Sequence, residues 1–202
     1  MSIPLQSVLS NLRPGVSVLV EYSTVTPVPA ILKKITDFFS EKEISFIFLS
    51  ETAVKKARNF VENFERIPEF VKRANYYIVG GDFPFGNVTL IEPDVCRTIL
   101  DAKGEVVFCF GLNYHLTFDE IETTRQLLSA ISRLNDKILV TFILRELLNS
   151  RTGLLIRQSH DLVIRLTSQL DGYMLEIVDS VIPGVPSVSI DFIGGKHRHS
   201  KL

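Results

Sequence analysis

Seven side chains in this sequence have the chemistry of a ligand site and stand where a strand ends. Glu21, Tyr22, Ser23 and Thr24 close the run "VLVEYST", Glu51 follows "FIFLS", and Asn113 and His115 follow "VVFCFG". Together they offer carboxylates, a phenol, aliphatic hydroxyls, an amide and an imidazole, groups that bind polar small molecules or move protons. Open α/β sheets take ligands beyond the carboxyl ends of their strands, so these seven are the expected lining of a ligand or enzyme site. No catalytic role and no metal is assigned to any of them.

Other groupings have the right residue types in the wrong arrangement. Ser159, His160 and Asp161 are the types of a hydrolase triad, but neighbours on a strand point to opposite faces and cannot line up as nucleophile, base and orienter. His197 and His199 are spaced to meet a metal only in an ordered tail. Cys109 sits within "VVFCF", where a thiol is expected to be buried and inert, and with Cys96 it makes too small a set for a disulfide framework or a metal cluster. The loop "GGDFPFGN" (Gly80–Asn87) combines glycines with Phe83 and Phe85 and is either a shaped binding loop or a turn whose phenylalanines cap the core.

The elements that must hold these groups alternate in kind. Gly15–Tyr22, Ile44–Ser50, Asn75–Gly80, Glu105–Gly111 and Lys137–Ile143 are short and almost continuously apolar, the pattern of strands covered on both faces. Between the second and third, Val54, Ala57, Val61 and Phe64 recur at helical spacing, with Lys55, Lys56, Arg58, Glu62 and Glu65 on the other sides. A helix is predicted to start at the capping box "TFDE", Thr117 capping and Glu120 reaching back, with Ile121, Leu128 and Ile131 on one stripe. Helix-length segments also follow the first strand (Pro29–Ser40) and the third (Pro93–Ala102).

Strand and helix in alternation predict parallel βαβ units and a doubly wound sheet. After about Leu148 the pattern changes to His160–Ser168, Tyr173–Ser180 and Ser187–Ile193, joined by the Asp-Gly signal "QLDGY" and the turn "IPGVP". These three are expected to be antiparallel strands extending one edge.

Several of these stretches resemble a known fold family. "LRPGVSVLVEY" resembles the first core strand of the RecA-like KaiC and RadA-type ATPases and its lead-in. "FIFLSETAVKKARN" resembles their second strand and the acidic position after it, and "HDLVIRL" one of their late strands. The pattern as a whole, including "GGDFPFGNVTLIEPD" (Gly80–Asp94), is similar to an uncharacterised family of RecA/KaiC-like proteins from hyperthermophilic archaea with degenerate nucleotide-binding motifs. The resemblance spans Arg13 to Gly195. It implies one mostly parallel RecA-like sheet, of the P-loop NTPase kind, with antiparallel strands at its C-terminal end.

The nucleotide-handling positions of that family are not filled here. A phosphate loop needs glycines for converging N–H groups, a lysine for the phosphate oxygens and a hydroxyl for Mg²⁺. Set against G-x-x-x-x-G-K-[ST], the chain puts Tyr22 and Pro27 at the glycines, Val28 at the lysine and Pro29 at the hydroxyl. Pro27 and Pro29 also lack an N–H donor. The strand expected to end in a metal-positioning Asp runs through Cys109, Phe110, Gly111 and Leu112 instead. Glu51 stands where the resembled ATPases keep catalytic glutamates, and it also suits the first turn of a helix, where a negative charge is favourable.

Size and charge bound what remains. At 202 residues the chain is expected to form one domain over 1–195, burying roughly 70% of its unfolded surface, with a disordered basic tail at 196–202. A net charge of -1 and a pI near 6.4 supply no general field for nucleic acid or an anionic membrane. No apolar run approaches the ~18 residues of a membrane span, and the N-terminus lacks a basic leader. The expectation is a cytoplasmic, cofactor-free protein that does not hydrolyse ATP and acts by binding a protein partner or by self-association. The alternatives are a small-ligand binder or enzyme built on the seven residues named first, and a recombination-associated DNA partner using the basic tail.

Overall fold

The computed structural model describes residues 4–26, 28–62, 67–169, 172–186 and 189–194. Its strands are β1 (Ser17–Tyr22), β2 (Ile44–Phe48), β3 (Asn75–Ile78), β4 (Asn87–Leu90), β5 (Val106–Phe110), β6 (Ile138–Leu144), β7 (Leu162–Gln169), β8 (Gly172–Ser180) and β9 (Ser189–Gly194). They form one nine-stranded sheet in the order β4-β3-β2-β5-β6-β1-β7-β8-β9. Every pairing from β4 to β7 is parallel, and β8 and β9 continue the sheet antiparallel.

Helices cover both faces, which is why the central strands are apolar at most positions rather than at every second one. Helices α1 (Leu5–Leu9), α2 (Val28–Phe38), α3 (Glu51–Glu62) and α4 (Glu69–Arg73) pack on one face, over Val18, Val20, Phe46, Phe48 and Phe108. Helices α5 (Val95–Asp101), α6 (Leu112–Phe118), α7 (Glu120–Ser132) and α8 (Arg151–Ser159) pack on the other, over Leu19, Ile47, Val107, Leu139 and Ile143. Each large side chain so buried is worth roughly 1.5–3 kcal/mol before entropy is charged.

The first face carries two cross-strand ladders of aromatic rings. Tyr76, Phe46 and Phe108 sit in register on β3, β2 and β5 with centroids 5.4 and 5.3 Å apart. One step along, Phe48, Phe110 and Phe142 repeat the pattern on β2, β5 and β6 at 5.5 and 4.5 Å. Neighbouring planes within a ladder differ by no more than 25°. Near-parallel rings this close cannot lie side by side in one plane, so they overlap as offset stacks.

The structure differs from the sequence expectations at specific places. The segment His160–Ser168 yields β7, which pairs parallel with β1, Val20 opposite Ile164, so only β8 and β9 are antiparallel. The crossover that makes this happen is α8, which pattern reading passes over because Gly153 interrupts it. Ser150 caps α8 by accepting from Gly153 N, and a Cβ at Gly153 would lie 2.4 Å from Leu148 Cα.

Strand β4 escapes the sequence pattern because all four of its residues are exposed. It is reached through Gly86, at φ +70, where a Cβ would lie 2.3 Å from the Ala74 carbonyl oxygen. Helix α7 is capped by Asp119, which accepts from Glu122 N, and not by Thr117, whose hydroxyl donates to Asn113 O within α6. Its buried stripe is Thr123, Thr124, Leu127 and Ala130, whereas Ile121 faces outward. The expected Asp-Gly turn, Phe64 and the basic tail lie outside the described residues.

Candidate functional site

A cavity of about 640 Å³ opens between α2 and α3 on the first face of the sheet. Its walls are Val28, Leu32 and Thr36 of α2, and Thr52, Ala53, Lys56, Ala57 and Phe60 of α3. Phe70 and Val71 of α4 close its far end. The floor consists of Phe46, Phe48, Phe110 and Tyr76 from the aromatic ladders, together with Phe83. Phe83 stacks on Tyr76 at 4.3 Å and on Phe48 at 5.9 Å, so the loop before β4 caps the core and lines the cavity at once. The Tyr76 hydroxyl donates to Val71 O, and burial holds its phenol above the ordinary range.

At the carboxyl ends of the strands the lining turns polar. Tyr22, Thr24, Ser50, Gly111, Asn113 and Tyr114 form this lip. Gly111 follows β5 at φ +89, and a Cβ there would stand 2.9 Å from Ser50 N, so only glycine lets the β5–α6 turn approach the β2–α3 turn. Asn113, in the first turn of α6, donates from Nδ2 to the Tyr22 hydroxyl at 2.6 Å and accepts at Oδ1 from Leu144 N at 2.8 Å. Burial raises the Tyr22 phenol above its ordinary pKa; the Asn113 hydrogen bond opposes this and the Glu146 charge adds to it.

The seven residues singled out by type are dispersed by the fold. Tyr22, Thr24 and Asn113 meet at the lip. Ser23 is turned into its own loop, where its hydroxyl shares a 2.7 Å hydrogen bond with Thr26. Glu21 alternates to the other face of the sheet. There it is fully buried and accepts from Arg157 Nε at 2.5 Å and Arg165 Nε at 3.0 Å, while Arg165 also reaches Glu176. His115 places Nε2 2.7 Å from Leu49 O, tying α6 to β2. Glu51 opens α3 and borders a smaller neighbouring cleft with Gly80, Gly81 and Asp82, where Arg58 pairs with Asp82.

The site residues that pattern reading passes over are the strand aromatics of the floor and the lysines, whereas Phe83, in a loop expected either to bind or to cap the core, caps the core and lines the cavity. Nothing in the chain order of Phe46, Tyr76 and Phe110 marks them as one surface, because each looks like an ordinary core residue in its own segment. Lys56 reads only as part of the charged side of α3. Among the described residues no three His, Cys, Asp or Glu side chains come together as a metal site, and no helix is long and apolar enough to cross a membrane.

Ser159, His160 and Asp161 do separate structural work. Asp161 accepts from both the amide and the hydroxyl of Ser17, at 2.7 and 2.8 Å. Ser159 donates to Leu155 O, and His160 Nδ1 lies 2.7 Å from Ile156 O.

No family model and no curated protein matches the sequence. Solved structures do match the fold. A structural-study protein from Pyrococcus horikoshii OT3 superposes with a TM-score of 0.72 at 17% identity, over 94% of this chain and 98% of the other. The flagellar accessory protein FlaH from Methanocaldococcus jannaschii superposes with a TM-score of 0.53 at 11% identity, over 90% of this chain and 91% of the other. Likeness at these identities bears on architecture alone, and the architecture it shows is RecA-like α/β, a mostly parallel sheet ending in antiparallel strands.

Proposed function

We propose that the protein is a RecA-like domain that binds a small, mainly apolar molecule in the cavity between α2 and α3 and does not hydrolyse ATP. The cavity itself carries this reading: about 640 Å³, an aromatic floor, and a polar lip at the carboxyl ends of β1, β5 and β6. Small-molecule sites are typically cavities of about 300–1,000 Å³ with apolar walls and a few placed polar groups. The loss of hydrolysis rests on Tyr22, Pro27, Val28 and Pro29 at the phosphate-loop positions and on the absence of an acid after β5.

Native mass spectrometry of the purified protein, with calorimetric titration of Mg-ATP, tests both halves. Retained small molecules should disappear in Ala57→Trp, which fills the cavity from α3, and Mg-ATP should produce no binding heat. Tight Mg-dependent ATP binding overturns the reading.

A second reading, association with another copy of the chain, is favoured by a different surface. Tyr114, Phe118 and Ile121 are 56%, 74% and 77% exposed, and the first two rings touch at 4.8 Å. Exposed apolar groups gathered in this way mark association surfaces more often than isolated ones do. Light scattering should then show an oligomer that Phe118→Ser reduces to a monomer, and a monomeric wild-type protein removes this reading.

A further inference from the structure

Three features of the cavity point to the class of molecule it takes. The first is charge. Lys33 and Lys56 contribute to the lining, and no aspartate or glutamate does. The two lysines are not equivalent, because Lys33 Nζ is held by Asp37 at 2.5 Å whereas Lys56 has no ion-pair partner among the described residues. Lys56 stands one turn from Thr52 and Phe60 on the helix stripe that walls the cavity, so its stem can lie along apolar surface while its ammonium stays at the opening.

The second is the floor. Phe46, Phe48, Tyr76, Phe83 and Phe110 form one nearly continuous aromatic surface, which suits the apolar body of a ligand. The rim therefore supplies a positive charge and the floor an apolar surface. The third is depth. A small, fully hydrated anion such as inorganic phosphate would lose its water against apolar walls without replacement hydrogen bonds, which is costly.

From these we infer that the ligand is an organic anion with an apolar body, its charged group beside Lys56 and its body on the aromatic floor. The inference rests on the cavity being a ligand site, as proposed above. An acyl chain and an aromatic ring system share this chemistry, and matched probes distinguish them.

Calorimetry compares decanoate with decanol, naphthoate with naphthylmethanol, and inorganic phosphate, on the full chain and on Lys56→Gln and Lys34→Gln. Lys34 is an exposed lysine of α2 outside the cavity. At least one acid should bind about threefold or more tightly than its neutral partner, as one solvent-facing charge pair allows. That preference should vanish in Lys56→Gln, persist in Lys34→Gln and shrink with added salt, and phosphate alone should not bind. The series showing the preference identifies the body as acyl or aromatic. Acid and neutral probes binding alike, or a preference that survives Lys56→Gln, overturns the anion while leaving the cavity a ligand site. Binding of no apolar probe overturns both.

Discussion

Asn113 bridges Tyr22 and the end of β6: one side-chain amide donates to the Tyr22 hydroxyl and accepts from Leu144 N, clamping the ends of β1, β5 and β6 into a single lip. Asn113→Ala leaves the Leu144 amide without that acceptor, whereas Tyr22→Phe removes only a side-chain partner. We expect Asn113→Ala to cost about 1–3 kcal/mol and Tyr22→Phe about 1 kcal/mol. Urea denaturation of both variants and the double variant checks this, and the double should cost less than the sum because the residues share one bond.

Glu21 is fully buried between Arg157 and Arg165, each 21% exposed. Removing the carboxylate strands two partly buried guanidinium groups, so Glu21→Ala should destabilise the protein by about 3 kcal/mol. Ligand affinity measured well below the melting temperature should be unchanged, because Glu21 faces the opposite side of the sheet from the cavity. A large loss of affinity with little loss of stability would contradict this placement.

His160 should make stability depend on pH. Its Nδ1 faces a carbonyl oxygen, which only accepts, so Nδ1 carries the proton and Nε2 is a buried acceptor without a partner among the described residues. Burial lowers its pKa from the ordinary 6.5 to about 4, against smaller upward pulls from the Ile156 carbonyl and Asp161. The unfolded chain therefore takes up a proton near 6.5 and the folded chain only near 4. The contribution is whole above 6.5 and is lost as pH falls from there toward 4, by about 1 kcal/mol for each pH unit crossed. Denaturation midpoints across this range should show the slope, and His160→Gln should flatten it.

The two thiols should react at very different rates. Cys109 is buried in β5 and its pKa is pushed up to about 12 by that burial, whereas Cys96 is partly exposed on α5. Maleimide should label one thiol quickly in the native protein and the second only at the rate of unfolding. Mass spectrometry should place the fast adduct on Cys96, and rapid labelling of Cys109 would show that β5 opens.

Much of the sheet can be read from the chain because strands buried on both faces advertise themselves. The runs that become β1, β2, β3, β5 and β6 are almost continuously apolar, and each falls within a few residues of its expected place. The failures share a physical cause. Strand β4 is exposed along its length and has no burial pattern to display. Helix α8 contains a glycine demanded by its close approach to Leu148, a contact made in three dimensions and not visible as helical periodicity. The wrong strand direction for β7 follows from missing α8, since a parallel partner needs a crossover to return the chain.

The chain by itself determined that there would be a buried parallel sheet, that Cys109 would lie inside it, and that polar groups would collect after its strands, because these depend on local composition and strand length. Tertiary structure alone decided which of those groups meet. Glu21 and Tyr22 are adjacent in sequence, yet strand alternation sends one into an ion-pair cluster and the other to the cavity lip. Phe46, Tyr76 and Phe108 are far apart in the chain, yet parallel register stacks them into one ladder, two of whose rings floor the cavity. Side-chain alternation and strand register are settled only when distant segments pair, and in this protein they separate the residues that line the cavity from those that hold the fold.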